Sequence, residues 1–440
     1  MTPLEFKHAL EMGFGRAIQH LKNHDPAPYE DVILEACLTF GGVNFQSEGG
    51  REQYFYEVIQ HSSNPSSIKS GLLEALLHLG EDGESNQQIV DLCILFAKEG
   101  FPSAKEAIIR CFLSDPEERN RYGDPCSEAI LELDGIDGFY RVLDTLGQLA
   151  IQDKDFIPSD QLIDFAQRLF GQETVENYRS QWAGKPTIDA YSQAENKCEE
   201  RYRKAREKSK NAVLPEQWTF EQLYTWIKRQ PVFYGAYLPR RWAKSATVFD
   251  IDKAVQALEN AKDSLEIQGL LSIFMECPFP KRPQLIIELA QHPDLEVVQW
   301  ALSVLYKISH PDVRDFAFKY QANYPDHPQL ALGFFIKNYR EGDHEFIENA
   351  LLTEIPDKHD FEDVSKNVVD VFTANITPNA LKSLVLVYEK NRCIRCRQNI
   401  LKLLEQLQIL PQSILEECVF DASLEIREWA KETLKARALA

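Results

Sequence analysis

The chain has 440 residues, of which 44% are hydrophobic and 26% are charged. This balance is typical of a folded protein and excludes an intrinsically disordered one. The formal net charge is −20, from 48 basic and 68 acidic side chains, so the average surface should repel nucleic acids and anionic membranes. No apolar run approaches the roughly 18 residues of a membrane-spanning helix, and the first residues lack a basic signal-peptide region. We expect a soluble, cytoplasmic protein without a membrane partner.

In the first third of the chain, apolar residues recur at the three- and four-residue spacing of amphipathic helices. Three similar segments begin at Val32, Ile68 and Ala104, at intervals of 36 and 36 residues. That length corresponds to two helices and two turns, and one helix pair cannot bury its apolar face alone. The pattern predicts N-terminal helical repeats over residues 1–185.

Residues 186–250 depart from this pattern. Between residues 197 and 244 there are twelve Lys or Arg against five Glu, so this segment is basic within an acidic chain. Pro231, Gly235 and Pro239 interrupt its second half. We expect an irregular central connection between two sets of repeats.

Within this connection, basic and aromatic side chains alternate at Phe233, Tyr234, Tyr237, Arg240, Arg241, Trp242 and Lys244. Surfaces that bind phosphates, stacked bases or acidic peptides use this combination. These seven residues are the candidate partner-binding site. In an alternative interpretation the rings form the core of the connection, while the cations reach water or pair with acidic groups of the repeats. In a third, the basic stretch packs across an acidic face and fixes the two sets of repeats together.

From residue 251 to residue 440 the self-similarity is clearer. The segment that begins with His292-Pro-Asp-Leu reappears at His327 and again at Asp421. Six apolar residues open the successive repeats, at intervals of 30, 35, 34, 30 and 30 residues: Leu265, Leu295, Leu330, Val364, Ile394 and Leu424. The spacing again predicts helix pairs that stack on their neighbours.

These units resemble HEAT repeats, whose second helix typically opens with an Asp, followed by a β-branched residue, an Arg and an Ala. The residues that match are Asp421, Ile426, Arg427 and Ala430, with a partial match at Cys396-Arg397. Two other units carry Val298 and Gly333 at the position of the Arg. The resemblance implies an all-α fold: an α-solenoid of stacked antiparallel helix pairs with an irregular central insert. It says little about function, because solenoids have many activities.

The sequence offers no catalytic pattern. Cys393-Ile-Arg-Cys396 has the spacing of a zinc or redox motif, but no second ligand pair accompanies it, so we interpret both as structural thiols. The ten His residues form no HExxH motif, and there is no Gly-x-Ser-x-Gly elbow. We therefore expect a protein that is not an enzyme, with no catalytic residue, metal or cofactor.

The leading hypothesis is a macromolecular binding protein or scaffold that grips a protein partner with a curved helical-repeat surface. Its acidity favours a basic partner, as for an adaptor or an inhibitor of a basic protein. A second hypothesis is a HEAT-like DNA-binding or DNA-glycosylase-type protein that uses residues 197–244, although the net charge argues against nucleic acid. A third is a solenoid enzyme of the phycobilin-lyase type, with a pocket between helices.

Overall fold

The computed structural model describes the chain except for residues 81, 117–124, 160, 211–213, 231–236, 325–327, 354–357 and 440. The described residues form α-helices, short 3-10 helices and turns, and none of them lies in a β-strand. This confirms the all-α part of the predicted fold. Within the same residues, no helix combines the length and the apolar character needed to cross a bilayer.

The chain divides into two compact units. Unit 1 contains Met1–Lys210, Arg392–Ile394 and Pro411–Ala440, and unit 2 contains Asn211–Asn391 and Arg395–Leu410. The division predicted from sequence, at residues 185 and 250, differs from this one. Unit 1 extends past residue 185 to Lys210, and it also contains the last two helices of the chain.

Unit 1 begins with a series of helices that alternate with short turns. They are α1 (Pro3–Met12), α2 (Arg16–Asn23), α3 (Glu30–Leu38), α4 (Phe45–Glu48), α5 (Glu52–Gln60), α6 (Pro65–Leu76), α7 (Gly83–Glu99), α8 (Pro102–Ser114), α9 (Pro125–Gln152), α10 (Gln161–Phe170), α11 (Gln172–Gln181) and α12 (Pro186–Lys210). A 3-10 helix, Ala27–Tyr29, precedes α3. A kink at Gly135, where φ is 64°, divides α9 into two parts.

Unit 2 continues in the same way. Its helices are α13 (Phe220–Ile227), α14 (Tyr237–Ala243), α15 (Val248–Asn260), α16 (Ser264–Ile273), α17 (Gln284–Leu289), α18 (Leu295–Leu305), α19 (Pro311–Asn323), α20 (Phe335–Asn338), α21 (Asp343–Leu352), α22 (Lys358–Ala374), α23 (Leu381–Lys390) and most of α24 (Ile394–Gln406). The 3-10 helices are Pro215–Gln217, Pro328–Phe334 and Pro378–Ala380. Two last helices, α25 (Gln412–Cys418) and α26 (Leu424–Leu439), complete unit 1.

Local signals place the helix starts. Thr219 and Thr247 form capping boxes at the starts of α13 and α15. Asp263 and Asp294 cap α16 and α18, where each carboxylate accepts a hydrogen bond from a free backbone N–H of the first turn. A cap of this kind stabilises a helix by about 1 kcal/mol. The repeat openings expected at Leu295, Ile394 and Leu424 are the first residues of α18, α24 and α26.

Helices in unit 2 contact both the next helix and the next but one. For example, α16 packs on α14, α15 and α18, and α22 packs on α20, α23 and the 3-10 helix Pro328–Phe334. Contacts of this order are those expected between stacked helix pairs.

At Gly333, one of the positions that departs from the HEAT pattern, a Cβ atom would lie 2.5 Å from the ring of Tyr306. A glycine is required there because that ring fills the space.

Side-chain hydrogen bonds to backbone carbonyls join successive turns of unit 2, and we call this set the inter-turn ladder. Each donor lies at or just after the end of one helix and reaches a backbone carbonyl oxygen at or near the end of an earlier helix. The donors and acceptors are Lys307 (to Met275), Asn338 (to Ile308, 2.9 Å) and Asn375 (to Ile336, 3.2 Å). The ladder fixes the register of neighbouring turns.

In unit 1 the last helices pack on the first ones. The backbone N–H of Ala422 donates to the carbonyl of Gly13 at 2.8 Å. An ion pair joins Arg16 to Glu417 at 2.9 Å. A side chain at Gly15 would place its Cβ atom 2.0 Å from the carbonyl oxygen of Glu417, so this contact requires glycine. The end of the chain is therefore part of the packing of unit 1.

A buried arginine lies beneath this contact. Arg51 is 1% exposed, and its guanidinium donates to the carbonyl of Glu11 at 2.6 Å and to that of Arg392 at 3.1 Å. The carboxylate of Glu48 is 3.4 Å away and is equally buried. Arg51 thus joins the end of α1, the short helix α4 and the segment before α24.

Candidate functional site

The structure separates the residues of the sequence-predicted site. Phe233 and Tyr234 lie outside the described residues. Tyr237 opens α14 and is 65% exposed, whereas Trp242, near the end of the same helix, is 1% exposed. Of the five described positions, Trp242 is therefore the one that is buried and not part of an exposed surface.

Trp242 belongs to the apolar core of unit 2. Its indole N–H donates to the carbonyl of Trp218 at 3.0 Å, and its ring centroid lies 6.0 Å from that of Phe220. A buried Trp normally satisfies its one donor in this way. This side chain follows the alternative interpretation, in which rings of the segment form core, and it is not available for stacking with a ligand.

The two arginines of α14 pair with different carboxylates. Arg240 contacts Glu276 at 2.6 Å, and Arg241 contacts Glu216 at 2.5 Å while it lies over the ring of Tyr237. Lys244, in the turn after α14, is exposed. The pairing of Arg241 is internal to the connection, whereas Arg240 and Lys244 face the next turn of unit 2.

Arg240, Lys244 and Lys307 act on Glu276, and Lys366 lies near Lys307. We call these four cations the basic cluster. The hydrogen bond from Arg240 lowers the pKa of Glu276, and the charges of Lys244 and Lys307 lower it further. Burial lowers the pKa of Lys307, and repulsion from Arg240 and Lys366 adds to that effect. Lys244 also acts on Glu216 and Lys366 on Asp370, and the four cations outnumber these three carboxylates.

A cavity of about 370 Å³ adjoins the basic cluster, because Glu276 and Lys307 also line it. Its apolar wall comes from the ends of α16 and α18 and the turn between α16 and α17, with side chains of Phe274, Pro278, Phe279, Val304 and Ile308. Phe274 and Phe279 pack edge to face, with ring centroids 5.0 Å apart. The result is an apolar hollow with charged groups beside it.

Carboxylates collect on three neighbouring helices of unit 1, and we call them the acidic cluster: Glu52 on α5, Asp91 on α7, and Glu128 and Glu132 on α9. These helices contact one another in sequence. Burial raises the pKa of Asp91 to about 7, and repulsion from the other three carboxylates contributes to the shift. Gln87 donates a hydrogen bond to Asp91 at 2.9 Å. This bond lowers the pKa of Asp91 but offsets only part of the increase.

Two cations border the acidic cluster. Lys98 pairs with Glu132 at 3.0 Å, and Arg168 partly offsets the burial that raises the pKa of Glu128. Asp91 itself lies among the other three carboxylates of the acidic cluster, and their charges raise its pKa. A strongly shifted ionisable group of this kind is a functional-site candidate when geometry supports it.

Sequence reasoning identified neither cluster as such. It named Arg240 and Lys244, but Lys307, after α18, and Lys366, on α22, come from later parts of the chain. The acidic cluster combines residues from three helices in a chain with 68 acidic side chains, so no local signal distinguishes them.

The cysteines of the described chain are all free thiols, and most are buried. Cys393 is buried and Cys396 is partly buried. Burial raises the pKa of Cys37 and Cys93 well above the usual range, and it raises that of Cys277 to about 11. These three thiols stay protonated at neutral pH and are poor nucleophiles.

Comparison with protein-family models, with curated proteins and with solved structures found no match to this chain. Function is therefore argued from the two charged clusters and the packing that creates them.

Proposed function

We propose that this chain is a helical-repeat binding protein whose acidic cluster binds a basic segment of a partner protein. The observation that carries the proposal is the environment of Asp91, a half-buried carboxylate faced by Glu52, Glu128 and Glu132. A lysine or arginine from a partner would replace repulsion by attraction at this point. The net charge of −20 supports the same partner, because it steers cationic molecules toward the surface.

The proposal includes an α-solenoid of HEAT-like repeats. Its support is the repeat spacing in the sequence and the contacts of each helix with the next and the next but one. In such a stack, side chains from several successive helices share one surface, as Glu52, Asp91 and Glu128 do on α5, α7 and α9. Extended surfaces of this kind suit protein segments better than small molecules.

Binding at Asp91 would be linked to its proton. Because the pKa of Asp91 is about 7, a cationic ligand that prefers the ionised form must displace the proton at lower pH. Affinity should therefore rise as the pH increases through 7. A ligand that binds elsewhere on the acidic surface would show no such rise.

The experiment measures binding of a lysine-rich synthetic peptide to the full chain by calorimetry at pH 6 and pH 8. The variant Glu52→Gln with Glu128→Gln removes two charges of the acidic cluster. The matched control, Glu173→Gln with Glu176→Gln, removes two exposed charges from α11 in the same unit. We expect the wild type and the control to bind more tightly at pH 8, and the cluster variant to bind at least about tenfold more weakly. Equal affinity of the three proteins would refute the proposal.

A further inference from the structure

The basic cluster of unit 2 is unusual in a chain of net charge −20, because its four cations outnumber the carboxylates they act on, Glu216, Glu276 and Asp370. Arg240 and Glu276 neutralise each other at 2.6 Å. Lys244, Lys307 and Lys366 are exposed. Glu216, near Lys244, already pairs with Arg241, and Asp370 lies near Lys366, so positive charge remains in excess. An anionic group is the ligand that this excess favours.

Lys307 is held in position. Its ammonium donates to the carbonyl of Met275 as part of the inter-turn ladder, so it lies over the end of α16. An ammonium group has three donors, and this contact uses one of them. The remaining donors stand beside the cavity that Lys307 lines, where they can meet a carboxylate.

The cavity beside Lys307 selects for an apolar group. Its volume of about 370 Å³ is near the lower end of the roughly 300–1,000 Å³ typical of ligand pockets. Its aromatic and aliphatic wall makes it suited to one large apolar side chain.

We propose that the basic cluster and the adjoining cavity bind an acidic peptide segment of a protein partner. One apolar side chain of the peptide fills the cavity, and carboxylates on either side of it pair with Lys307 and Lys244. The proposal is independent of the function proposed above, because it concerns the other unit and the opposite charge.

A peptide fits these features better than nucleic acid does. Single-stranded nucleic acid binds on exposed aromatic rings that stack with successive bases. Trp242 is buried, and in the described part of the predicted site Tyr237 is the exposed ring. The apolar cavity has no counterpart in a phosphate-binding groove, whereas acidic peptides with an apolar anchor use both of its properties.

The experiment measures fluorescence anisotropy of labelled synthetic peptides with the full chain. The test peptide has one phenylalanine flanked by glutamates, a second has serine in place of the phenylalanine, and a third has glutamines in place of the glutamates. We expect the first to bind more tightly than the other two by at least about tenfold, and to bind more weakly as salt is raised to physiological levels.

Three variants locate the binding. Lys307→Gln should weaken binding of the test peptide by at least about tenfold, and Lys244→Gln should weaken it to a smaller extent. Lys319→Gln is the matched control, because Lys319 is exposed on α19 of the same unit. The Lys244 variant keeps the test decisive if the Lys307 variant fails to fold, since Lys244 is exposed and lies in a turn.

The proposal is overturned if the control variant loses as much affinity as the other two, or if the test peptide does not bind. Equal binding of the serine peptide would remove the cavity from the site. A single-stranded oligonucleotide that binds more tightly and is lost with the same variants would identify a nucleic-acid ligand instead. Binding of the lysine-rich peptide should not change in Lys307→Gln. The two experiments can therefore show separately whether the basic-cluster proposal or the acidic-cluster proposal is wrong.

Discussion

At the scale of single residues, the fold opposes ionisation of the carboxyl group of Asp91. Its pKa rises from the ordinary 3.8 to about 7, so at neutral pH the folded chain holds a proton that the unfolded chain has lost. The unfolded state binds fewer protons between these two values, and stability therefore falls as pH rises from about 4 to about 7. At about 1.4 kcal/mol per pKa unit, the upper bound of the effect is on the order of 4 kcal/mol.

We expect Asp91→Asn to raise the free energy of unfolding at pH 8, by up to about 4 kcal/mol, and to leave it nearly unchanged at pH 4. The asparagine keeps the acceptor for Gln87 and removes the buried charge. Urea denaturation at the two pH values measures the effect. Asp164→Asn on α10, where the side chain is exposed, is the control and should change little at either pH. Destabilisation of Asp91→Asn at pH 8 would mean that the Asp91 carboxylate is stabilised in the fold.

Arg51 is also a buried ionisable group, but the fold places acceptors around it. Two backbone carbonyls accept hydrogen bonds from its guanidinium, the buried carboxylate of Glu48 lies 3.4 Å away, and the ring of Phe40 lies 5.5 Å away. A buried ion pair of this kind is costly to break because the remaining charge has no water. The two residues differ because the fold surrounds Arg51 with acceptors and Asp91 with other carboxylates.

At the scale of secondary-structure elements, the inter-turn ladder complements the apolar packing. Asn338 donates to Ile308 and to Phe334, and its side-chain oxygen accepts from the backbone N–H of His310. One amide side chain therefore satisfies groups at the end of its own helix and in the preceding turn. Such bonds are specific in register, unlike apolar contacts.

We expect Asn338→Ala and Asn375→Ala each to lower the free energy of unfolding by about 1 to 3 kcal/mol, because each leaves backbone carbonyls without their donor. Urea denaturation followed by circular dichroism measures the loss. Asn260→Ala is the control, since Asn260 bonds only to a carbonyl of its own helix in the described contacts and is exposed. If the ladder variants cost no more than this control, the ladder does not contribute to stability.

At the scale of the whole molecule, the chain returns to its beginning within unit 1. Besides the contact at Gly13, Arg427 on α26 pairs with Glu57 on α5 at 2.9 Å, across 370 residues of sequence. Ile426 and Ala430 are fully buried in the same region. A simple stack of repeats would lose only its last pair when shortened, whereas here the first helices lose their packing partner.

We expect removal of residues 411–440 to expose α1 and α2, with faster amide hydrogen exchange over residues 3–23 and a lower unfolding temperature. The buried faces of these helices would otherwise meet water. Truncation after Leu434, which removes a largely exposed end of α26, is the control and should leave exchange in α1 unchanged. Unchanged exchange in both proteins would show that the last helices do not stabilise the first.

The sequence by itself determined the features that depend on residues within a few positions of one another. The all-helical fold follows from the three- and four-residue apolar spacing, and Leu295, Ile394 and Leu424 open their helices because caps and turns are local. Tertiary structure decided which distant side chains meet. Trp242 lies in the core although its neighbours are basic, because a short irregular helix has too few residues for its pattern to reveal its buried face. The carboxylates around Asp91 come from α5 and α9. Lys307 lies near Arg240, which is distant in sequence, and α26 packs on α5. Each of these depends on how helices pack, which no local pattern of polarity encodes.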